Sequence, residues 1–338
     1  MRGIWDGSAY VLAYGDTETG DIAVQRLDAS GAKLGAATIV ETTAPPSYQP
    51  SITKALGGGY VVAWADGMPP VAIHTRGLDA TGAPTGKGAT FASANTTEAR
   101  PTLVNAFGKI AITWMDVDGG LPSVRAGFLD DGLAVAASPA PVRIGATTAA
   151  ASHGWLVGGD ASLAVTWSDA RNGQRDIRFA TLDGSLAVSN DKPMREGGVG
   201  DSFVNHATAI PDGYAVTWED PRSGDTRSWM AVTAKDGTKS FEGLASQNTD
   251  ESDWPSPAWT GKSIAIASYS YLGVPQIVVG AYDTKGAPLG AELQVSTAPQ
   301  GQKARFPALM ATGTDLGVAW VETVDGTAQL FFARVACP

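Results

Sequence analysis

The chain has 338 residues, a formal net charge of -10, 43% hydrophobic residues, 41 glycines and 20 prolines. That much apolar material excludes disordered and fibrous classes, and an acidic chain with scattered Lys and Arg lacks the basic stripe that nucleic acid or an anionic membrane surface requires. No apolar run is long enough to cross a bilayer, and the single Cys337 can form neither an internal disulfide nor a zinc or redox cluster.

Internal repetition organises the rest. Tyr14, Trp64, Trp114, Trp167, Trp218, Tyr269 and Trp320 follow one another at 50, 50, 53, 51, 51 and 51 residues. A period of about 50 residues with several short apolar strands per unit predicts an all-β chain folded as a seven-bladed β-propeller with four-stranded blades. The blades are expected at residues 1–46, 47–97, 98–149, 150–200, 201–252, 253–303 and 304–338, making one domain.

Within each unit the anchor aromatic ends an alternating run such as Tyr60-Val61-Val62-Ala63-Trp64 or Leu163-Ala164-Val165-Thr166-Trp167, read as the second strand. Two residues later comes an acid, Asp16, Asp66, Asp116, Asp169, Asp220 or Glu322, with Tyr271 as the exception. Six residues after the anchor comes Gly20, Gly120, Gly173, Gly224 or Gly326, with Pro70 and Pro275 in the other two units, which predicts a repeated hairpin turn. The third strand runs into a second turn of aspartate and glycine: Asp28 to Gly31, Asp79 to Gly82, Asp130 to Gly132, Asp183-Gly184, Asp236-Gly237 and Asp283 to Gly286. A fourth strand such as residues 37–40 or 293–295 follows, and Pro50, Pro101, Pro255 or Pro307 opens the next first strand. The chain stops at residues 331–335, the third strand of blade seven, so that blade lacks its outer strand. A preceding segment is expected to supply it, and Cys337 is either inert or bridged to that segment.

In blades four and five, Trp167-Ser168-Asp169-Ala170-Arg171-Asn172-Gly173-Gln174-Arg175-Asp176-Ile177 resembles the Trp-x-Asp-x-Arg-x-Gly-x-x-Asp-Ile repeat of bacterial secreted and surface propellers, and Trp218-Glu219-Asp220-Pro221-Arg222-Ser223-Gly224 repeats its first half. The resemblance implies a secreted, periplasmic or outer-surface protein and transfers no catalytic residue. The repeated acids are read as turn-formers before they are read as a Ca²⁺ site, and Arg171 and Arg222 as partners of acids in neighbouring blades.

Residues that the scaffold needs recur in every blade, so function is sought where the repeats differ. The lead-ins to the first strands and the turns after the second strands share one face of a propeller, around the mouth of its channel. Those segments hold the candidate ligand-binding residues Arg100, His153, Asn205, His206, Asp253, Trp254, Tyr271 and Arg305. His153, His206, Asp201 and Arg305 are the candidates for catalysis, and His153, His206 and Asp201 for a metal, against the plain reading that the histidines cap strands. His74, in a third strand, reads as structural.

Three function classes follow. A recognition module would bind a carbohydrate or a protein partner on Trp254, Tyr271, Tyr48 or Trp155 without any activated nucleophile. A polysaccharide lyase would use a histidine as base while Arg305 or Arg100 neutralises a uronate, and a glycoside hydrolase would pair Asp201 with Asp253. Sialidase-like boxes fit less well, since Arg227 stands at the box glycine in the stretch from Ser223 to Trp229. A structural docking scaffold is the third class. The recognition module is preferred, as a monomer with a glycan or protein ligand, no nucleic acid, no membrane insertion and no cofactor.

Overall fold

The computed structural model describes residues 1–338 apart from 17–18, 42–46, 67–70, 93–97, 160, 249–250 and 338. The described residues contain strands and turns and no helix. Six antiparallel sheets of four strands, formed by residues 2–41, 47–92, 102–144, 151–193, 203–244 and 252–294, are followed by a seventh of three strands over residues 304–336. In each sheet the strands lie in chain order, so every connection is a hairpin and each sheet is one blade. The chain is a seven-bladed β-propeller whose last blade, among the described residues, has three strands: Ala304–Ala311, Asp315–Val324 and Thr327–Ala336.

The second strand of each blade is largely enclosed because both of its faces are covered. Tyr60–Asp66 is buried from Tyr60 to Ala65 and Ser162–Asp169 from Leu163 to Asp169, which explains near-continuous apolar runs where a half-exposed strand would alternate. By packing, the chain divides into two units: residues 1–171 with 180–191, and residues 172–179 with 192–338. In the first, Val11, Val24, Ile52, Val62 and Trp64 form one cluster, and Val124, Leu156, Val165, Trp167 and Leu182 are part of another. In the second, Ile210, Met230, Val232 and Ile266 pack together, as do Ala265, Ala267, Ile277, Leu316, Val318 and Trp320.

Carboxylates organise the turns after the third strands. Asp28 Oδ1 accepts the amides of Ser30 and Ala32 at 2.8 and 3.0 Å, and Asp79, Asp183 and Asp283 repeat the arrangement. The side-chain hydrogen bond from Ser30, with the backbone amides, holds Asp28 below the usual carboxylate range. Each turn also needs one residue with a left-handed backbone: Gly31, Gly82, Gly237 and Gly286 supply it. Blades three and four differ from the sequence reading. There the left-handed residue is Leu133 or Leu186 rather than Gly132 or Gly184, and both leucines are buried, so apolar packing holds a conformation that the backbone alone disfavours.

Blade six departs from the repeat in register. In blades two, four, five and seven the residue just before the anchor tryptophan pairs with the first strand after its bulge, as in Ser51 with Ala63 and His206 with Thr217. In blade six the corresponding pair is Ser256 with Ala267, so Ser268, not Tyr269, occupies the tryptophan position, and Ser270, not Tyr271, the acid position. Both serines are buried. A shift of one residue in a strand reverses the face, and Tyr269 therefore packs into the cluster that holds Trp320 instead of standing where a tryptophan would.

Candidate functional site

A repeated backbone device shapes the start of the first strands. Pairing is interrupted between Tyr48 and Ser51, Ser152 and Trp155, Phe203 and His206, Asp253 and Ser256, and Arg305 and Ala308. Inside each bulge one residue has a left-handed backbone: Gln49, His153, Val204, Trp254 or Phe306; Arg100 has it at the matching place of blade three. Non-glycine residues hold this conformation at a cost of about 1 kcal/mol or more each, so the bulges spend stability on re-aiming these segments. Arg100, His153 and Trp254 are thus equivalent positions, while His206 lies two residues beyond its blade's bulge residue.

The candidates differ in surroundings. In the first unit, Arg100 pairs with Glu98 at 2.8 Å and its amide donates to Gln49, and His153 Nδ1 lies 2.9 Å from Ser152 Oγ. Trp155 has the Arg2 guanidinium over its ring at 4.0 Å, and the Tyr48 side chain lies outside the described residues. In the second unit, Asn205 and His206 are buried, and His206 donates from Nδ1 to the Pro255 carbonyl at 2.7 Å, tying blade five to blade six. Asp201 accepts the Arg175 amide at 2.8 Å. Among the described residues no three His, Cys, Asp or Glu side chains are grouped to hold a metal ion.

The Trp-x-Asp-x-Arg stretches form closed hydrogen-bonded units. Trp167 Nε1 donates to Asp169 Oδ2 at 3.0 Å, and Arg171 clamps the same carboxylate with its amide, Nε and a terminal nitrogen. Trp218, Asp220 and Arg222 repeat the pattern. The arginines reach on to Asp191 and Glu242, acids of their own blades, not of neighbouring ones. Burial opposes ionisation of Asp169, but the hydrogen bonds from Arg171 and Trp167 outweigh it and hold its carboxyl low.

Blade six, which lacks this unit, carries a different constellation. Tyr269 stands directly opposite Asp253 across the first two strands and donates its hydroxyl to the Asp253 carboxylate. Arg305, at the position equivalent to Asp253 in blade seven, lies over the Tyr269 ring at 5.9 Å. Burial, reinforced by the charge of Glu251, pushes Asp253 up to about 6 against the lowering influence of Tyr269 and Arg305. Tyr269 is likewise raised, first by burial and then by Asp253. Beside the pair opens a cavity of about 320 Å³ lined by Glu251, Tyr269, Tyr271, Gln302, Lys303 and Arg305, with Gly273 to Pro275 and Gln300 to Gly301 closing its rim. Tyr271 is exposed. Trp254 packs edge-on against the exposed Phe306 at 4.7 Å, so each of the neighbours Asp253-Trp254 and Arg305-Phe306 offers one polar and one aromatic group.

The structure therefore brings Asp253, Trp254, Tyr271 and Arg305 to one locality and leaves Asn205 and His206 enclosed in their blade. Tyr269, Glu251 and Lys303 belong to the site without having been singled out for it. The signal was present: blade six alone puts two tyrosines where its neighbours show an anchor tryptophan and an acid.

No protein-family model matches the chain, and no curated protein is similar to it in sequence. In structure it is similar to a proposed 6-phosphogluconolactonase of Bacteroides uniformis, at a TM-score of 0.57 and 15% identity over 98% of this chain and 97% of that one. It is also similar to the endosialidase of phage phi92, at 0.56 and 8% identity over all of this chain and 66% of that one. A puromycin-hydrolysing peptidase of Mycobacterium tuberculosis gives 0.57 at 11% identity over all of this chain and 52% of that one. The chain thus spans less than two thirds of the phage protein and about half of the peptidase. Three unrelated activities on one scaffold leave the likeness as a statement of fold, and the ligand has to be argued from the site.

Proposed function

We propose that this protein is a saccharide-recognition propeller, binding its ligand at the blade-six cavity and the adjoining aromatic pair. The observation that carries this reading is the cavity itself: exposed Tyr271 and half-buried Tyr269 offer ring faces, while Glu251, Gln302, Lys303 and Arg305 offer polar groups at its wall. Sugars present apolar C–H faces and dense hydroxyls, and a site that couples aromatic faces to a few fixed polar groups suits them. The Trp-x-Asp-x-Arg repeats support a bacterial protein working outside the cytoplasm.

The test is a glycan array followed by calorimetry on the best binder. Tyr271→Ala and Trp254→Ala are expected to weaken binding by about 1 kcal/mol or more each. A confirmed ligand whose affinity neither substitution changes would remove the site from the cavity. A second reading rests on Asp253: a carboxyl held near 6 beside a tyrosine is a candidate general acid for glycoside hydrolysis. New reducing ends released from an array-positive glycan by wild type but not by Asp253→Asn would favour it over simple binding.

A further inference from the structure

The blade-six cavity carries a charge pattern found nowhere in the Trp-x-Asp-x-Arg units. Arg171, Arg195 and Arg222 are each matched to carboxylates. By contrast, Lys303 and Arg305, which both line the cavity, take part in no ion pair among the described residues. Arg305 Nε is buried without a hydrogen-bond partner, while Asp253, a residue only 8% exposed, accepts from Tyr269 and shares a side-chain hydrogen bond with Glu251. A buried guanidinium nitrogen left unmatched costs about 1–3 kcal/mol, and at the wall of an open cavity, beside an unpaired ammonium, a ligand can offset that cost. A guanidinium matches a planar carboxylate in two parallel hydrogen bonds, and an ammonium adds a point charge.

We propose that the cavity recognises a carboxylate-bearing pyranose, with Arg305 and Lys303 holding the carboxylate and Tyr271 the ring. This rests on the saccharide reading above and adds the class of sugar. The acids nearby set the conditions. Facing Asp253 are Glu251 on its own lead-in, Tyr269 from the second strand of blade six and Arg305 from blade seven; Glu219 of blade five binds the Trp254 amide and bears on Tyr269. An incoming anion is repelled by Asp253 while that group is ionised, and the repulsion disappears once it takes up a proton. Affinity for an acidic sugar therefore rises as pH falls through the region of 6, whereas affinity for a neutral sugar stays level.

Calorimetry with a hexuronate oligomer, its methyl ester, a sialylated oligosaccharide and a neutral hexose oligomer, at pH 5.5 and 7.5, decides the matter. One of the two acidic probes is expected to bind at least about tenfold tighter than the ester or the neutral oligomer. Arg305→Gln should remove that preference and Lys303→Gln, at an exposed position, should reduce it about threefold. Asp253→Asn should bind equally at both pH values. Neutral and acidic probes binding alike, with Tyr271→Ala abolishing both, would overturn the charge assignment and leave saccharide recognition standing. Failure of every saccharide to bind would defeat both readings.

Discussion

Replacing Asp220 by alanine removes the acceptor on which most of the blade-five polar core converges. Its carboxylate is fully enclosed and takes hydrogen bonds from Trp218 Nε1 at 3.0 Å, Ser202 Oγ at 3.1 Å and Arg222 at 2.6 and 2.9 Å, with Arg195 Nε 3.1 Å away as an ion pair. Arg195 is also fully enclosed, and among the described residues Asp176 at 3.0 Å would be its one remaining carboxylate partner. Deleting one member of a buried ion pair costs about 3–5 kcal/mol, because the partner charge stays buried, and a domain of this kind is stable by only about 5–15 kcal/mol. Asp169→Ala should cost less, about 1–3 kcal/mol, since its arginine is partly exposed and can turn to Asp191 or to water. Asp315→Ala, which breaks a pair with the half-exposed Arg334, should cost less than about 1 kcal/mol. Urea unfolding followed by tryptophan fluorescence ranks the three, because Trp218 and Trp167 are fully buried. A midpoint for Asp220→Ala no lower than that for Asp315→Ala would refute the idea that this carboxylate is a hub.

Other substitutions probe other parts of the argument. Asp253 is raised in the folded protein, so the stability it contributes is present below its unfolded value near 4 and is lost as pH rises through about 6. Asp253→Asn should accordingly match wild type at pH 4 and exceed it by roughly 1–3 kcal/mol at pH 7.5, and equal stabilities at both values in thermal melts would show that the carboxyl is not perturbed. Gly326→Ala meets open space and should cost only the left-handed backbone, about 1 kcal/mol, whereas in Gly286→Ala the new methyl would collide with the Phe241 ring and the melting loss should be clearly larger. His206→Ala strips one donor from the Pro255 carbonyl, which keeps Thr217, and should lower stability by about 1 kcal/mol while leaving saccharide affinity intact. Loss of binding in a folded His206 variant would place the histidine in the site.

The propeller was readable in the chain because its causes are local and repeated. A covered second strand demands an apolar run, a tight hairpin demands Gly20, Gly173 or Gly326 in a left-handed conformation, and an Asp at the next turn satisfies two amides at once. Those demands leave a similar mark in most blades. The pairing of Arg171 with Asp191 was not readable, because the fourth strand that carries the acid has no sequence signature of its own. Nor were the leucines at the turns of blades three and four: Gly132 and Gly184 draw the eye, but Leu133 and Leu186 have cores to fill, and burial overrode backbone preference.

Blade six shows why the site was only half legible. The spacing of aromatics put Tyr269 in line with the tryptophans, yet the pairing of Ser256 with Ala267 sets the strand one residue over, and a single-residue change of register exchanges the two faces. With serines at positions 268 and 270, the blade has neither the indole nor the acid that lock its neighbours, and nothing there fixes an arginine in place. The tyrosines turn to the opposite face, where Asp253 and Arg305 stand at equivalent positions of consecutive blades and Arg305 Nε is left unmatched. Blade six thus lacks the scaffold's own hydrogen-bonded unit on one face and carries the cavity's tyrosine, beneath the blade-seven arginine, on the other.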